Sequence, residues 1–481
     1  MSETRFIFRG SFINMSAMIL RIIISPLMLI VPRLFNQEMF GIFISMQSFC
    51  TTLATILGLS IHSGLTWWIP KQSTTEGQTA RTVWKWLLIV LCLSAGFVLL
   101  TALVLPAGKA WIPSGFEQVT PWFYAICLFS VPGSVALSYG SACLMGIRKP
   151  QYRATWEQFL SFSLIPILAI GLWPTGLPNA LAWSLFGAKW ICAAAILAYL
   201  AKHFPPRFER SLTALDQSLL RYSLPVAFAR LVANVITQID LWMVLFFLGP
   251  ASAAVYGIMR MLADGVAKVR LSYDPLIVPV VSRLESNNQR EKLRDVLSYT
   301  VRMVSMIQIA VAATLACFPK ELLSIAGAQY SADLFAFLIL LSGRLVNGIG
   351  ELSSQVVYGL GESALILRRN VITLLFAMPA GLMLIPRYGL LGAAMTSFLM
   401  ISVQCLQVIV LQTRLTGRWL YKLELAPQML CLFGFIGAVF LVQSRFALFP
   451  LAWRIPIYLV LMIAWGTWAY KERKNIIPSE I

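Results

Sequence analysis

The chain consists largely of apolar stretches, each separated from the next by a short polar loop. An α-helix needs about 20 apolar residues to cross a bilayer. About fourteen stretches meet this length, and 58% of the residues are hydrophobic while only 12% are charged. The sequence therefore predicts an all-α polytopic membrane protein with about 14 transmembrane helices. The predicted spans are 10–34, 38–61, 84–106, 119–146, 154–173, 180–202, 219–248, 251–281, 297–318, 332–358, 369–386, 389–413, 425–444 and 453–470.

The net charge of +18 is concentrated in loops on one side of the predicted membrane. With the N-terminus in the cytoplasm, 24 of the 38 Lys and Arg residues fall in cytoplasmic segments and six fall in loops on the other side. By the positive-inside rule, this asymmetry places both termini in the cytoplasm. The excess positive charge is thus explained by the orientation of the helices in the membrane. We therefore expect no nucleic-acid partner.

The two halves of the chain are related by a repeat with an offset of about 213 residues. This offset superposes Pro106 on Pro319, Gly146 on Gly359, Pro166 on Pro379, and "GLPNALAWS" (176–184) on "GLLGAAMTS" (389–397). The period contains six spans, so both halves have the same orientation in the membrane. We predict an N-lobe of six helices (1–210), a C-lobe of six helices (211–424), and two further helices with a cytoplasmic tail (425–481). Two such lobes favour transport by alternating access at their interface.

Several spans carry polar stripes that lipid cannot satisfy. In the seventh span, Arg230, Asn234 and Gln238 follow one another at four-residue spacing, which places them on one helix face. The first span repeats the pattern with Asn14 and Arg21. We expect these side chains to face protein or water.

Charged residues also occur in the eighth and tenth spans. Arg260, Asp264 and Lys268 form a ladder on the eighth span, and the tenth carries Arg344 and Glu351. Counted from the turn that joins the seventh and eighth spans, Asp240 lies at the depth of Arg260, so these two side chains are candidate partners.

Together these residues predict a water-filled cationic cavity between the lobes, because more bases than acids line it. Arg suits phosphate, since its planar guanidinium binds two oxygens at once. The candidate anion ligands are Arg21, Arg230, Arg260, Lys268 and Arg344, with Asn14, Asn234 and Gln238 as polar lining. Asp240, Asp264 and Glu351 are expected to neutralise neighbouring bases or to take part in ion coupling. The opposing interpretation is that some bases form structural ion pairs or extend to the membrane surface, and for Lys189 we favour extension to the surface. Neither the cysteines nor the two histidines have metal-ligand spacing, so no metal site is predicted.

Three segments resemble one family of membrane proteins. "RGSFINMSAMILRIIISPLMLIVPRLFNQEMFGIFISMQSF" (9–49) is similar to the opening of bacterial Wzx-type O-antigen and polysaccharide flippases, as is "VITQIDLWMVLFFLGPASAAVYGIMRML" (235–262). "IPRYGLLGAAMTS" (385–397) resembles their Gly-Ala-Ala segment. These flippases belong to the multidrug/oligosaccharidyl-lipid/polysaccharide (MOP) exporter superfamily.

The resemblance implies that the protein is a transporter and not an enzyme. Its substrate would be an undecaprenyl-pyrophosphate-linked oligosaccharide, carried from the cytoplasmic to the periplasmic leaflet of the bacterial inner membrane. The pyrophosphate would meet the cavity arginines, and Arg260 matches a helix-eight Arg of related lipid II flippases. No cofactor is expected, and the driving force stays open between protons, sodium and the membrane potential. The expected partners are membrane lipids and glycan-assembly proteins around a monomeric transporter.

Three alternatives remain at this stage. A multidrug or small-molecule antiporter of the same superfamily would favour acidic cavity residues. A major-facilitator transporter would share the six-helix repeat, but "KQSTTEGQTARTV" (71–83) lacks the basic Asp-Arg loop of that class. A glycan polymerase or ligase would need catalytic groups on an outer loop, where only Glu117, Glu321 and Asp333 are acidic.

Overall fold

The architecture was analysed in a computed structural model of the chain. It describes residues 16, 20, 24, 26–62, 65, 69, 76–104, 120–147, 149–206, 214–271, 277, 281, 284, 290–331, 333–360, 362–416, 456, 459, 463 and 465–467. These residues form helices joined by short connections, and no strand occurs among them. They belong to two compact units, 1–257 and 258–481.

The first unit contains five long helices and the beginning of a sixth. They are α1 (Gln37–Leu57), α2 (Glu76–Val104), α3 (Pro121–Gly146), α4, α5 (Ala180–His203) and the part of α6 (Ala214–Leu271) that ends at Gly257. Helix α4 is composite: Pro150–Tyr152 leads into a π-helical segment, Arg153–Leu160, which continues as Ser161–Leu172.

The second unit contains the remainder of α6, followed by helices α7 to α10. They are α7 (Arg290–Cys317), the short α8 (Pro319–Ser324), α9 (Leu334–Gly359) and α10 (Ser363–Thr416). Its core is formed by apolar side chains of α6, α7 and α9, among them Val266, Ile309 and Leu341. The amide of Gln308 on α7 donates to the Val266 carbonyl at 3.0 Å, which satisfies a polar side chain inside this core.

Nine helices of the described part are long and apolar enough to cross a membrane. Two of them, α6 and α10, each contain two predicted spans, so the nine helices account for the second to the twelfth spans. The first, thirteenth and fourteenth spans lie partly or wholly outside the described residues and stay predictions. The chain is thus an all-α, multi-pass membrane protein, as the apolar stretches predicted.

Some helices extend further than their apolar stretches. Helix α2 begins at Glu76 instead of 84, and α7 begins at Arg290 instead of 297. The predicted loop 359–369 is also too long, because α10 begins at Ser363 and includes Arg369. A helix continues past its apolar part since backbone groups stay paired within the helix and charged side chains can reach water or a partner.

The helix bounds repeat with the same 213-residue offset as the sequence. Helix α3 (Pro121–Gly146) corresponds to α9 (Leu334–Gly359) at both ends, and the end of α5 at His203 corresponds to the end of α10 at Thr416. Gly176 and Gly389 are also 213 residues apart and share a positive φ, 64° and 59°. The repeat is therefore present in the local structure of each half. The predicted lobe boundary at residue 210 stays a prediction.

Helices α6 and α10 each turn back at one glycine. Gly249 has φ 83° and ψ 177°, and Gly389 has φ 59° and ψ −134°. Both conformations are accessible to glycine and strained for other residues. Each glycine thus divides a long helical segment into two arms, which is how one continuous element supplies two predicted membrane passes.

Helix α3 is the most enclosed element of the first unit, and it packs against α1, α2 and α5. A Cβ atom at Gly140 would lie 2.3 Å from Cγ2 of Ile196 on α5, so only glycine allows this approach. The Tyr139 hydroxyl donates to the Val83 carbonyl of α2 at 2.6 Å. These contacts fix the wall on which the cavity described below is built.

Candidate binding cavity

A cavity of about 470 Å³ lies within the first unit. This volume falls in the range of small-molecule sites. Helices α1, α3, α4, α5 and the first arm of α6 line it. Its polar and charged lining consists of Thr51, Thr55, His62, Ser134, Ser138, Tyr139, Glu157, Ser161, Lys189, Arg230 and Asn234.

The polar stripe of α6 faces α1. Asn234 donates from Nδ2 to Oγ1 of Thr55 at 2.9 Å, and Gln238 accepts at Oε1 from the Ser48 hydroxyl at 2.8 Å. Arg230 and Asn234 line the cavity, whereas Gln238 is not among the lining residues. Asn234 and Gln238 thus join α6 to α1, while Arg230 and Asn234 reach the cavity.

Arg230 donates a hydrogen bond from Nη1 to Nε2 of His62. A guanidinium has donors only, so Nε2 must accept, and the imidazole is neutral. His62 follows the membrane-spanning helix Gln37–Leu57, and burial together with the Arg230 charge lowers its pKa to about 3. The positive charge of this pair therefore belongs to Arg230 alone.

A second cation enters the cavity from α5. Lys189 lies nine residues inside α5 and donates from Nζ to the Ser161 hydroxyl of α4 at 2.8 Å. The assignment of Lys189 to the membrane surface did not anticipate this position. Its distance from the helix end, about 14 Å along the axis, was the sequence signal that could have revealed it.

Glu157 is the carboxylate that lines the cavity among the described residues. It lies in the π-helical segment of α4, pairs with Arg153 (Nε to Oε2, 3.3 Å), and accepts from the Ser138 hydroxyl of α3 at 3.4 Å. The sequence pattern singled out neither residue, since Arg153 directly precedes the predicted span 154–173 and Glu157 is an isolated acid within it.

Asp240 lies away from the cavity lining and is 1% exposed. Its two carboxyl oxygens accept from the Leu241 amide and the Tyr256 hydroxyl, each at 2.8 Å. The predicted pairing of Asp240 with Arg260 would join the two units and stays a prediction. Within the first unit, Asp240 holds together the two arms of α6 on either side of Gly249.

The second unit holds three of the other predicted cations, Arg260, Lys268 and Arg344. Arg344 forms an ion pair with Asp264, Nε to Oδ1 at 2.7 Å, and Glu351 lies 3.9 Å from Nη1 of Arg369. Arg260 is buried and Lys268 is half-buried. None of these residues lines the described cavity, and Asn14 and Arg21 lie outside the described residues.

The cavity favours an anion. Two cations, Lys189 and Arg230, face it together with one carboxylate, Glu157. Hydroxyl and amide groups of Thr55, Ser134 and Asn234 supply neutral hydrogen-bonding capacity. The cavity thus combines a net positive charge with neutral hydrogen-bonding groups.

The fold and this polar cavity define a multi-pass α-helical membrane protein with an internal repeat. The sequence model of the polysaccharide biosynthesis protein family matches residues 7–285, more than half of the chain. The chain belongs to this family. No curated protein matches it.

Solved structures show the same fold at low sequence identity. One is a multidrug resistance MATE family transporter of the MOP superfamily in an inward-facing conformation, with 15% identity, a TM-score of 0.67, and coverage of 85% of this chain and 98% of that one. The outward-facing conformation of such a transporter gives 16% identity and a TM-score of 0.63, with 86% and 95% covered. A MOP superfamily transporter from Pyrococcus furiosus gives 14% identity and a TM-score of 0.61, with 86% and 95% covered. The chain thus has the fold of these solved structures, as the resemblance in its sequence implied.

Proposed function

We propose that this protein is a flippase for a lipid-linked oligosaccharide. It moves an undecaprenyl-pyrophosphate-linked repeat unit, such as that of an O-antigen, from the cytoplasmic to the periplasmic leaflet of the bacterial inner membrane. The family match supports a place in polysaccharide biosynthesis, and the fold supports transport.

The observation that carries the proposal is the pair of cavity cations at membrane depth. Lys189 and Arg230 line one polar cavity between apolar helices. Charged groups in such positions are costly, which makes them candidates for a transport pathway. In the proposed cycle the pyrophosphate contacts these cations, the sugars occupy the polar volume, and the isoprenoid chain stays in lipid.

The experiment is a leaflet assay in reconstituted vesicles. Undecaprenyl pyrophosphate carrying the host's oligosaccharide is supplied in one leaflet, and its appearance in the other is measured with a membrane-impermeant glycosidase. We expect transport by the wild type and at least tenfold slower transport by Arg230→Gln and Lys189→Gln, because each loses a charge-assisted contact.

The matched control is Arg387→Gln, which removes an exposed cation outside the cavity. This variant should transport at the wild-type rate. If the wild type moves no lipid-linked oligosaccharide but exchanges a cationic drug for protons or sodium, the multidrug alternative replaces the proposal. Transfer of sugars between lipid carriers would instead indicate a polymerase or ligase.

A further inference from the structure

We propose that the Glu157 carboxylate competes with the substrate's phosphate for Arg153 and thereby weakens substrate binding. This inference rests on the proposed function, because it requires an anionic substrate. Glu157 is a positioning residue in this account: it acts through Arg153 and the charge of the cavity.

The Glu157 carboxylate links the cavity lining to a cation, Arg153, which is not itself one of the lining residues. Glu157 lines the cavity, and its Oε2 lies 3.3 Å from Nε of Arg153 one turn earlier on α4. The Arg153 side chain is 41% exposed and the Glu157 side chain 25% exposed. Arg153 is therefore accessible to a second anion without leaving its position.

The ion pair between Arg153 and Glu157 is weak enough for another anion to replace Glu157. Ion pairs between partly exposed side chains contribute little to stability, and pairs four residues apart on a helix are typical of this class. A pyrophosphate carries more charge and can bind a guanidinium through two oxygens. A substrate phosphate can therefore displace the carboxylate from Arg153.

The surroundings of Glu157 make its charge important for affinity. Lys189 from α5 and Arg230 from α6 line the same cavity, and the Arg153 charge also acts on His62. The neutral neighbours of Glu157 include Ser138, which donates to its second oxygen, Oε1. Glu157 thus offsets part of a positive field that would otherwise attract the substrate more strongly.

The other half of the repeat contains a contrasting pair. The 213-residue offset relates Ser138, the partner of Glu157 on α3, to Glu351 on α9. Glu351 lies 3.9 Å from Nη1 of Arg369, which also donates to Asn370 at 2.9 Å and to the hydroxyl of Ser354. Arg369 is 7% exposed. Two further groups bind the buried Arg369, so this pair is structural, whereas the 41% exposure of Arg153 leaves the Arg153–Glu157 pair open.

Glu157 and Ser161 lie four residues apart on α4, and both line the cavity. A π-helix turns more slowly than an α-helix and is often found at functional sites. Ser161, the first residue after the π-helical segment, accepts from Lys189. Helix α4 therefore carries both the competing anion, Glu157, and the Ser161 hydroxyl that positions the cavity lysine.

The test measures binding of two probes to the purified full-length protein: undecaprenyl pyrophosphate, and the same lipid carrying the host's oligosaccharide. Glu157→Gln should bind both probes about two- to fivefold more tightly, as expected for loss of one partly exposed competing ion pair. Glu157→Asp should restore weak binding. Glu38→Gln, which removes a carboxylate outside the cavity, should bind like the wild type.

A double variant identifies the mechanism. The variant Arg153→Gln/Glu157→Gln should bind the probes only about as tightly as the wild type. It lacks Arg153, the cation that becomes available to the substrate when the Glu157 carboxylate is removed. A merely structural role for Glu157 would not increase affinity in the single variant.

The outcomes separate the two proposals. If the wild type binds neither probe, the proposed function fails. If the wild type binds both and Glu157→Gln binds them equally well or less well, the present inference is overturned. A weakening confined to the sugar-bearing probe would overturn it too, and would make Glu157 a sugar ligand.

Discussion

Asp240 and Tyr256 lie on opposite arms of α6, and the Tyr256 hydroxyl donates to the Asp240 carboxyl at 2.8 Å. Both side chains are buried, and Gly249 lies between them in the sequence. Their contact fixes the two arms relative to each other inside the first unit. An acidic residue at membrane depth is therefore explained here by local architecture.

The first prediction concerns this contact. Tyr256→Phe should lower the free energy of unfolding by about 0.5–2 kcal/mol, the range for one hydrogen bond in a membrane protein or to a charged group. Thermal unfolding of the purified protein in detergent measures the change. Tyr388→Phe, at an exposed tyrosine, is the control. Equal stability of Tyr256→Phe and the wild type would show that the contact does not hold the arms.

The second prediction concerns the bend at Gly249. No atom lies within 4 Å of a Cβ built at this residue, so Gly249→Ala isolates backbone strain from crowding. We expect Gly249→Ala to lower the free energy of unfolding by about 1–3 kcal/mol, because φ 83° and ψ 177° are strained for alanine.

Gly171→Ala provides the comparison for Gly249→Ala in the same unfolding assay. Gly171 lies inside α4, and a Cβ there also meets no neighbour. This change should leave stability the same or raise it, since alanine is favoured over glycine in a helix. Similar behaviour of the two variants would contradict the strained bend.

The third prediction concerns Arg344, a candidate substrate ligand that pairs with Asp264. Arg344→Gln and Asp264→Asn should each destabilise the protein by about 1 kcal/mol, a value kept small because the Asp264 side chain is 39% exposed. The double variant should lose less free energy of unfolding than the sum of the losses in the two single variants. Additive losses in a double-mutant cycle would show that the two charges do not interact.

The sequence predicted the membrane architecture well because lipid imposes strong rules on it. Apolar length determined where helices lie, and the 213-residue offset anticipated the helix bounds of α3 and α9 and the matching glycines 176 and 389. The stripe of α6 was visible because Arg230 and Asn234 interrupt an otherwise apolar helix.

The sequence was less informative about which charges meet. Arg344 and Asp264 are 80 positions apart, and Arg369, at the boundary between a predicted loop and a predicted span, packs beside Ser354. Lys189 and Glu157 were missed because their roles depend on the rotation of α4 and α5 about their own axes. A π-helical segment changes that rotation, and apolar periodicity does not reveal it.

Native mass spectrometry of the protein, purified gently from its own host, tests most directly whether the cationic cavity binds a lipid-linked oligosaccharide. We expect a bound mass equal to an isoprenyl pyrophosphate plus sugars in the wild type and in Arg387→Gln. We expect loss of that mass in Arg230→Gln/Lys189→Gln, provided that this variant unfolds at the wild-type temperature. A folded double variant that retains the lipid, or a wild type that carries none, would contradict a cationic cavity for lipid-linked oligosaccharide.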